Sequence, residues 1–373
     1  MSRLLILTYI PSPYQVELFN AIAESNLFSL KVAYLYSRSD SAIAKLWQQS
    51  NIKHEHLILD DRNEVYQQLE QDIITTDLFI FNYYRHPRIG KLIDRCVATD
   101  TPWCFWGERP GFKHSGLLGF LYRRWKLSRL HTCDAPIWGV GQWGVEQYRR
   151  EFGTNRAYFN IPYFSDLARF QRKIDLPQTN PKQTRTFLYS GALIHRKGVD
   201  LLAEAFCRLA AEFNNVRLHI VGEGELRPEI TQKLALYRDR VQFFGFQSWD
   251  KLPSHYQKAD ILCAPSRYDG WALVVPEGLA AGLPVIGTNR TGAVLDLIRD
   301  RVAEPSAYRQ NGWVIPTDDA EALYLAMKEA ALLSAEELAS YSRSARDSVQ
   351  QHSLSRGVAR FKQAVEQTLQ VNQ

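Results

Sequence analysis

Two carboxylates eight residues apart, Asp269 and Glu277, bracket a short apolar run. A carboxylate buried in apolar surroundings is costly unless something binds it. The pair Asp269-Gly270 is typical of a turn, and Pro276 and Gly282 suit the start and the end of a short helix. Glu277 then lies in the first helical turn, where backbone amides and the helix dipole favour negative charge. This spacing predicts two acids that contact different parts of one elongated ligand.

Two adjacent cations, Arg196 and Lys197, follow a predicted strand end and a glycine, Gly191. Glycine permits close approach of a backbone, and the predicted helix just after the cations favours an anion at its N-terminus. A diphosphate is the natural ligand of such a loop. The structural alternatives stay open here: solvated surface cations, a turn former at Asp269, and a helix-start acid or arginine partner at Glu277.

Two further predicted strand ends carry weaker signals. Gly222 lies in a Val-Gly-Glu-Gly turn, which lacks the third glycine of a dinucleotide fingerprint. Phe246 follows another strand and either lies against a base or packs beneath its loop. Together these loops offer glycines, cations and carboxylates, and they predict a site for a nucleotide diphosphate that carries a hydroxyl-rich group.

The elements that must position these residues alternate short apolar runs with helical patterns, which predicts an α/β protein with parallel sheets. In the first half the strands are expected at 4–8, 30–36, 56–59, 78–81, 103–106, 135–138 and 157–159. In the second half they are expected at 186–190, 217–221, 241–244, 261–264, 284–287 and 313–315. We therefore predict two doubly wound Rossmann-like domains facing a central cleft, with ligands at the carboxyl ends of the strands.

The domain bounds follow from where the alternation stops and restarts. We expect a first domain at 1–165, a polar linker at 166–183 and a second domain at 184–350. The remaining residues, 351–373, are expected to form a C-terminal helix that crosses back to the first domain.

Composition narrows the class of protein. The 373 residues carry a net charge of +5, which favours anionic ligands or a membrane surface but is too weak for a nucleic-acid binder. The five cysteines are widely spaced and lack a Cys-x-x-Cys pair, so we expect reduced core residues and neither disulfides nor a zinc site. No apolar stretch is long enough to cross a bilayer, and no signal peptide is evident. We expect a cytoplasmic protein.

Seven segments of the second half resemble, in order and spacing, the donor domain of the family-4 retaining glycosyltransferases with the GT-B architecture (glycosyl transferases group 1). They comprise residues 191–198, 221–224, 245, 259–266, 269–282, 292–298 and 311–316. The resemblance covers most of residues 186–332 and is weaker in the first half.

The resemblance implies roles for individual residues. Glu277 would hold the ribose hydroxyls of a nucleotide, and Arg196 and Lys197 would bind the diphosphate and stabilise it as a leaving group. Asp269, where the family usually has glutamate, would contact the donor sugar together with the amides of the turn. The four residues of that turn are Gly270, Trp271, Ala272 and Leu273. The family implies no metal, and no acidic Asp-x-Asp pair is present.

Two features of the first half concern the acceptor side. Glu108 follows a predicted strand where the family often has a histidine, so it either faces the anomeric centre or acceptor or forms a surface pair with Arg109. Residues 113–130, from Lys113 to Leu130, combine aromatic and basic side chains. This helix either contacts an anionic membrane surface or exposes an ordinary basic face.

The sequence therefore predicts a retaining glycosyltransferase that moves a sugar from a nucleoside diphosphate-sugar, such as a UDP-sugar, to an acceptor hydroxyl. The acceptor is a glycan, a lipid-linked or a small molecule in glycolipid, polysaccharide or glycoconjugate synthesis, and the enzyme is expected at the inner face of the membrane. The alternatives are a nucleotide-sugar epimerase, a glycogen-phosphorylase-like enzyme and a non-catalytic sugar-nucleotide-binding protein.

Overall fold

The computed structural model describes residues 1–37, 51–84, 86–110, 116–171, 184–300 and 310–371. By its internal packing the chain divides into two compact units. The first comprises Met1–Asp166 and Leu354–Gln373, and the second comprises Leu167–Ser353. The first unit is therefore discontinuous in sequence. Most of the predicted linker, residues 172–183, lies outside the described residues.

The first unit contains a parallel sheet of seven strands in the order β3-β2-β1-β4-β5-β6-β7. Its strands are β1 (Arg3–Thr8), β2 (Ser29–Tyr34), β3 (Glu55–Ile58), β4 (Leu78–Phe81), β5 (Trp103–Gly107), β6 (Ile137–Gly139) and β7 (Tyr158–Asn160). Its helices are α1 (Pro13–Glu24), α2 (Asn63–Ile74), α3 (Ile89–Ala98), α4 (Gly116–Lys126), α5 (Ser128–His131), α6 (Gly141–Phe152) and, from the end of the chain, α14 (Leu354–Val371). These bounds refer to the described part of the chain.

Apolar side chains cover both faces of this sheet, as expected for parallel strands buried on two sides. On one face Phe79 and Phe81 of β4 pack in one cluster with Leu69 of α2 and Leu92 of α3. On the other face Phe361 of α14 lies against two tryptophans and a phenylalanine. The ring centroids of Phe361 are 5.3 Å from Trp138, 6.2 Å from Trp106 and 6.3 Å from Phe28.

The second unit contains a parallel sheet of six strands in the order β10-β9-β8-β11-β12-β13. The strands are β8 (Arg185–Ser190), β9 (Val216–Val221), β10 (Val241–Gly245), β11 (Ile261–Ala264), β12 (Val285–Thr288) and β13 (Gly312–Ile315). The helices within the described ranges are α7 (Val199–Glu212), α8 (Arg227–Lys233), α9 (Leu252–Tyr256), α10 (Val274–Ala280), α11 (Gly292–Leu297), α12 (Ala320–Leu332) and α13 (Ala335–Ser348).

The core of the second unit contains the apolar face of α7, which packs on the sheet and on α12. Leu202, Phe206 and Leu209, at helical spacing, lie in one buried cluster with Phe187 of β8 and Met327 of α12. The helices that end this unit begin with good caps. Asp319 accepts a hydrogen bond from the Ala322 amide, and Ser334 and Glu337 form a capping box.

The predicted fold class, two Rossmann-like α/β domains, is confirmed by the two parallel sheets. The thirteen predicted strands are all present in the described residues, most of them with bounds that differ by one or two residues. The helix predicted over 113–130 differs more: its first three residues lie outside the described residues, and the rest breaks at Leu127 into α4 and α5. Similarly, α10 begins at Val274 rather than at Pro276.

No helix in the described ranges is long and apolar enough to cross a membrane.

Candidate functional site

The loop after β8 makes a tight turn that carries the predicted cations. Residues His195–Lys197 form one 3-10 turn, and Gly198 then adopts φ +68°, the left-handed conformation that glycine tolerates best. A Cβ atom at Gly198 would lie 2.0 Å from the carbonyl oxygen of Pro265, at the start of the loop after β11. This glycine therefore lets two strand-end loops meet.

The structure brings three of the predicted residues together at this meeting point. Lys197 Nζ pairs closely with Asp269 Oδ2, and Arg196 Nη1 lies 3.9 Å from the same oxygen. Arg196 Nη1 also donates to the carbonyl oxygen of Tyr268 at 2.8 Å. Asp269 is buried, at 7% exposure, while the Arg196 side chain is more than a third exposed. The cluster is thus two cations that share one carboxylate, with the arginine accessible to a ligand.

Arg267 is a residue of this site that the sequence interpretation missed. Its guanidinium donates twice to the Asp200 carboxylate at 2.7 Å, once to Asp318 at 2.7 Å and once to the carbonyl oxygen of His195 at 2.7 Å. Its own amide donates to the Arg196 carbonyl oxygen at 2.9 Å. The hydrogen bonds to Asp200 raise the pKa of Arg267. Arg267 thereby ties the turn that carries Arg196 and Lys197 to helix α7.

The turn after Asp269 is held against the loop after β12. The Asp269 amide donates to the Arg290 carbonyl oxygen at 3.0 Å, and the Ala293 amide donates to the Trp271 carbonyl oxygen at 2.8 Å. A Cβ atom at Gly292 would lie 2.2 Å from the carbonyl oxygen of Gly270, so the two loops touch through backbone. Trp271 is buried with its ring stacked on His352 at a centroid distance of 6.0 Å.

Ala272 has φ +70°, which is unfavourable for a residue with a Cβ atom. Leu273 follows it and forms the N-cap position of α10. The chain therefore bends sharply before the helix starts and places Glu277 in the first turn of α10, as the sequence predicted. Residues in this strained conformation cluster at functional sites, so Ala272 marks this loop as a candidate site.

Glu277 is buried, at 2% exposure, and accepts a hydrogen bond from the hydroxyl of Tyr256 at 2.8 Å. Burial, and then the neighbouring carboxylate, raise the pKa of the Tyr256 hydroxyl, so the phenol stays neutral and donates. Tyr256 ends helix α9 and carried no motif in the sequence. The Tyr256 hydroxyl therefore fixes the position of the Glu277 carboxylate.

The remaining predicted glycines bring neighbouring strand ends together. Gly222 has φ +131°, and its amide donates to the Gly245 carbonyl oxygen at 2.8 Å. A Cβ atom at Gly222 would lie 1.9 Å from the carbonyl oxygen of Gly191. The loops after β8, β9 and β10 are therefore in backbone contact. Phe246, which follows β10, is half-buried.

Glu108 lies in the first unit, after β5, and the cluster of Arg196, Lys197 and Asp269 lies in the second. The side chain of Glu108 is exposed, and its carbonyl oxygen accepts a hydrogen bond from the Tyr148 hydroxyl. The adjacent Arg109 guanidinium lies 4.2 Å from the ring centroid of Trp143.

The described residues contain no group of three or more His, Cys, Asp or Glu side chains arranged to hold a metal ion. Cys96, Cys104 and Cys263 are buried, while Cys133 and Cys207 are half-buried. Burial raises the pKa of the Cys96 thiol to about 12.

Comparison with known proteins finds a family model that resembles the second half of the chain. Residues 171–348 match the family model described as Glycosyl transferases group 1. The match covers nearly all of the second unit and includes every predicted donor-binding residue. The resemblance to group 1 glycosyltransferases drawn from the sequence motifs is thereby confirmed.

Two curated relatives and one solved structure illustrate the likeness. An uncharacterized glycosyltransferase of Methanocaldococcus jannaschii is 32% identical over 169 residues, which are 44% of this chain and 40% of that protein. The phosphatidyl-myo-inositol mannosyltransferase of Mycolicibacterium smegmatis is 30% identical over 171 residues, 45% of this chain and 41% of that protein. The chain thus spans about two fifths of the length of these curated relatives.

The crystal structure of Anabaena HepE in complex with UDP and glucose superposes with a TM-score of 0.73. The superposition covers 98% of this chain and 100% of that chain at 16% sequence identity. At this identity the likeness establishes the fold, which is that of the GT-B glycosyltransferases.

Proposed function

We propose that this protein is a retaining glycosyltransferase that moves a hexose-type sugar from a nucleoside diphosphate-sugar to an acceptor hydroxyl. The observation that carries the proposal is the pairing of Arg196 and Lys197 with Asp269 at the strand ends of the second unit. Two cations on one tight turn suit a diphosphate, because departure of a nucleoside diphosphate develops negative charge on its β-phosphate. The family match over residues 171–348 supports the same reaction class.

In this proposal Arg196 and Lys197 act on the leaving group of the reaction. In the reaction the bond between the anomeric carbon and the β-phosphate oxygen breaks, and its electron pair stays on the phosphate. Arg196 and Lys197 stabilise that charge. The acceptor oxygen forms the new bond on the same face of the sugar, which retains the anomeric configuration, and its proton leaves with the released nucleoside diphosphate.

The two acids hold the uncharged parts of the donor. Glu277, fixed by the Tyr256 hydroxyl, accepts hydrogen bonds from the ribose hydroxyls. Asp269 contacts the sugar hydroxyls, together with the backbone amides of residues 270–273. In this proposal Glu108, whose side chain is exposed, acts at the anomeric centre or on the acceptor. No metal is needed in this proposal, because the two cations supply the positive charge that the leaving group requires.

The donor is a UDP-sugar in this proposal, supported by the likeness to HepE, whose crystal structure is a complex with UDP and glucose. The acceptor is a glycan, a lipid-linked or a small molecule, and the pathway is glycolipid, polysaccharide or glycoconjugate synthesis. The Mycolicibacterium relative is a phosphatidyl-myo-inositol mannosyltransferase, which supports a lipid-linked acceptor. We place the enzyme in the cytoplasm, peripheral at the inner face of the membrane.

The test is nucleoside diphosphate release from a panel of UDP- and GDP-sugars, with and without acceptors. Lys197→Ala should lower kcat/KM by about 100-fold or more, the usual effect of losing one transition-state charge partner. Glu277→Gln should raise KM for the donor. Lys258→Ala, an exposed lysine in the same unit, is the matched control and should behave as the wild type.

Three results would contradict the assignment. If the wild type releases no more nucleoside diphosphate than Lys197→Ala over the whole panel, the protein is not a transferase. Conversion of the donor sugar in the absence of any acceptor would indicate an epimerase. Donor binding measured by calorimetry without turnover would indicate a sugar-nucleotide-binding protein.

A further inference from the structure

Helix α4 (Gly116–Lys126) presents its apolar side chains to solvent, the reverse of an ordinary domain helix. Leu117 is 73% exposed, Leu118 80%, Leu121 52% and Trp125 68%. Leu117, Leu121 and Trp125 are spaced four residues apart, so they share one face, and Leu118 lies beside them. The apolar side chains of α4 therefore do not form the buried face that an ordinary domain helix has.

The opposite side of α4 is the side that contacts the protein. Gly119 is buried, and Arg123, four residues later, donates from Nε to the Glu151 carboxylate of α6 at 2.8 Å. Directly after the helix, Leu127 and Leu130 enter the core of the first unit. The helix is therefore attached through a glycine, one largely buried ion pair and two leucines. Its exposed leucines cannot be explained as core residues.

Basic and aromatic side chains border the apolar face. Arg124 and Lys126 are exposed, and the Lys126 ammonium lies 5.2 Å from the ring centroid of Trp125. Tyr122 lies next to Trp125, with 6.1 Å between ring centroids. Leucines in the middle, with tryptophan, tyrosine and cations around them, form the pattern of helices that lie in the interface of a bilayer.

We propose that α4 is a docking surface for an anionic lipid bilayer, with Leu117, Leu118, Leu121 and Trp125 inserted among the lipid chains. Arg124 and Lys126 then contact anionic headgroups, which attract cations near a membrane surface. This proposal rests on the proposed function, a membrane-peripheral enzyme, and names the surface that would contact the membrane. A protein partner or a second copy is less favoured by the observations, because exposed cations adjoin the apolar face and Lys is depleted at protein interfaces.

The experiment is cosedimentation with vesicles that carry about 30% phosphatidylglycerol in phosphatidylcholine, or phosphatidylcholine alone. The wild type should bind the anionic vesicles at low salt and release from them as salt rises. The triple variant L118S/L121S/W125S should bind at least about tenfold more weakly, because insertion of apolar surface scales with its area. The double variant R124Q/K126Q should bind anionic and neutral vesicles alike.

Leu236→Ser is the matched control, since Leu236 is 81% exposed in the second unit and should contribute nothing to binding. The pair K251Q/K258Q controls for the loss of two exposed cations elsewhere. Far-UV circular dichroism and the thermal melting temperature, compared with those of the wild type, report whether the triple variant is folded.

The proposal is overturned if the wild type stays in the supernatant with anionic vesicles, or if the triple variant binds them as strongly as Leu236→Ser does. It is equally overturned if sedimentation equilibrium shows that the wild type is a dimer and the triple variant a monomer, because a second copy then covers the apolar face of α4. Vesicle binding and nucleoside diphosphate release are measured separately. A protein that binds vesicles but releases no product would contradict only the proposed transferase function.

Discussion

At the scale of residues, one carboxylate neutralises two cations that the proposed ligand also needs. Asp269 pairs with Lys197 and lies 3.9 Å from Arg196, so a diphosphate entering this turn competes with a buried side chain for the same positive charge. Two opposite unit charges about 4 Å apart near the surface of a protein attract each other by about 4 kcal/mol before screening by salt. In the proposed reaction the Asp269 carboxylate therefore weakens diphosphate binding, while it supports sugar transfer by holding the sugar hydroxyls.

Replacement of Asp269 by asparagine tests this competition. Asp269→Asn keeps the size and the turn but removes the negative charge, so UDP or GDP should bind at least about threefold more tightly. Turnover should fall, because the sugar hydroxyls lose their charged acceptor. Calorimetry with nucleoside diphosphate and a release assay measure the two effects. Weaker diphosphate binding by this variant would show that the carboxylate does not compete for Lys197.

Arg267 positions the turn that carries Arg196 and Lys197, so its replacement should weaken only the binding of phosphate groups. Arg267→Lys keeps the charge but loses the fork that holds Asp200, Asp318 and the His195 carbonyl oxygen together. Affinity for the nucleoside diphosphate should fall about tenfold, because both cations shift, while affinity for the nucleoside alone should be unchanged. Calorimetry with both ligands measures the ratio.

Arg208→Lys is the control for this prediction, since Arg208 pairs with Glu321 on the surface of the same unit. If Arg267→Lys weakens nucleoside and nucleoside diphosphate equally, Arg267 has only a general structural role.

The sequence predicted part of this site because strand ends of one parallel sheet meet at one edge. Arg196, Lys197 and Asp269 follow two predicted strands that are neighbours in the sheet, β8 and β11, so their proximity could be expected. Their ion pair could not, because side-chain partners depend on loop geometry. Tyr256 had no signal at all, whereas Arg267, two residues before Asp269, could have been found by its position.

At the scale of elements, a buried histidine joins α1, β2 and the segment before β3. His54 Nδ1 contacts Asn20 Oδ1 of α1 at 2.7 Å, and His54 Nε2 contacts the Tyr34 hydroxyl of β2 at 2.9 Å. A carbonyl oxygen can only accept, so Nδ1 carries the proton and Nε2 accepts from Tyr34. Burial, and then the neighbouring His56, lower the pKa of His54 to about 4. The folded protein therefore holds this imidazole neutral.

The pH dependence of stability follows from this shift. Between the unfolded pKa of 6.5 and the folded pKa of about 4, the unfolded chain binds more protons, so stability is lost as pH falls. The expected loss from His54 between pH 7 and pH 5 is about 2 kcal/mol. Hydrogen exchange of β2 and β3 at both pH values measures it. His54→Gln should remove most of this difference, and an equal loss in that variant would exclude His54 as the cause.

The element that the sequence described least well is the helix predicted over 113–130. Its period and composition were compatible with either orientation of the apolar side chains, because a helical pattern does not say which face meets the protein. The structure turns the apolar face outward because Gly119 and Arg123 make the inward contacts. The strands were easier to predict from the sequence, because apolar runs between turn residues indicate both that a strand is present and that it is buried.

At the scale of the whole molecule, α14 completes the first unit although it comes last in the sequence. Its Thr368 hydroxyl accepts a hydrogen bond from the indole Nε1 of Trp138 at 3.0 Å, and both side chains are buried. The sequence indicated a terminal helix but not the surface that it covers, because Thr368 and Trp138 are separated by 230 residues.

Removal of this hydrogen bond should destabilise the first unit. Thr368→Val keeps the shape and leaves the Trp138 indole without its acceptor, at an expected cost of about 1–3 kcal/mol in the free energy of unfolding. Urea unfolding followed by tryptophan fluorescence measures it. Val371→Ala, on the exposed side of the same helix, should change stability by less than about 0.5 kcal/mol. Equal effects of the two substitutions would contradict a specific role for Thr368.

The return of α14 to the first unit also sets an order of folding during synthesis. The second unit is one continuous stretch, Leu167–Ser353, and leaves the ribosome as a complete set of strands and helices. The first unit is synthesised earlier but lacks α14 until the second unit has emerged, so the Trp106 and Trp138 face stays uncovered in the nascent chain. Domains usually fold from the N-terminus onward as they are made. Here the second unit can fold first, and the first unit can complete its core only after α14 has been synthesised.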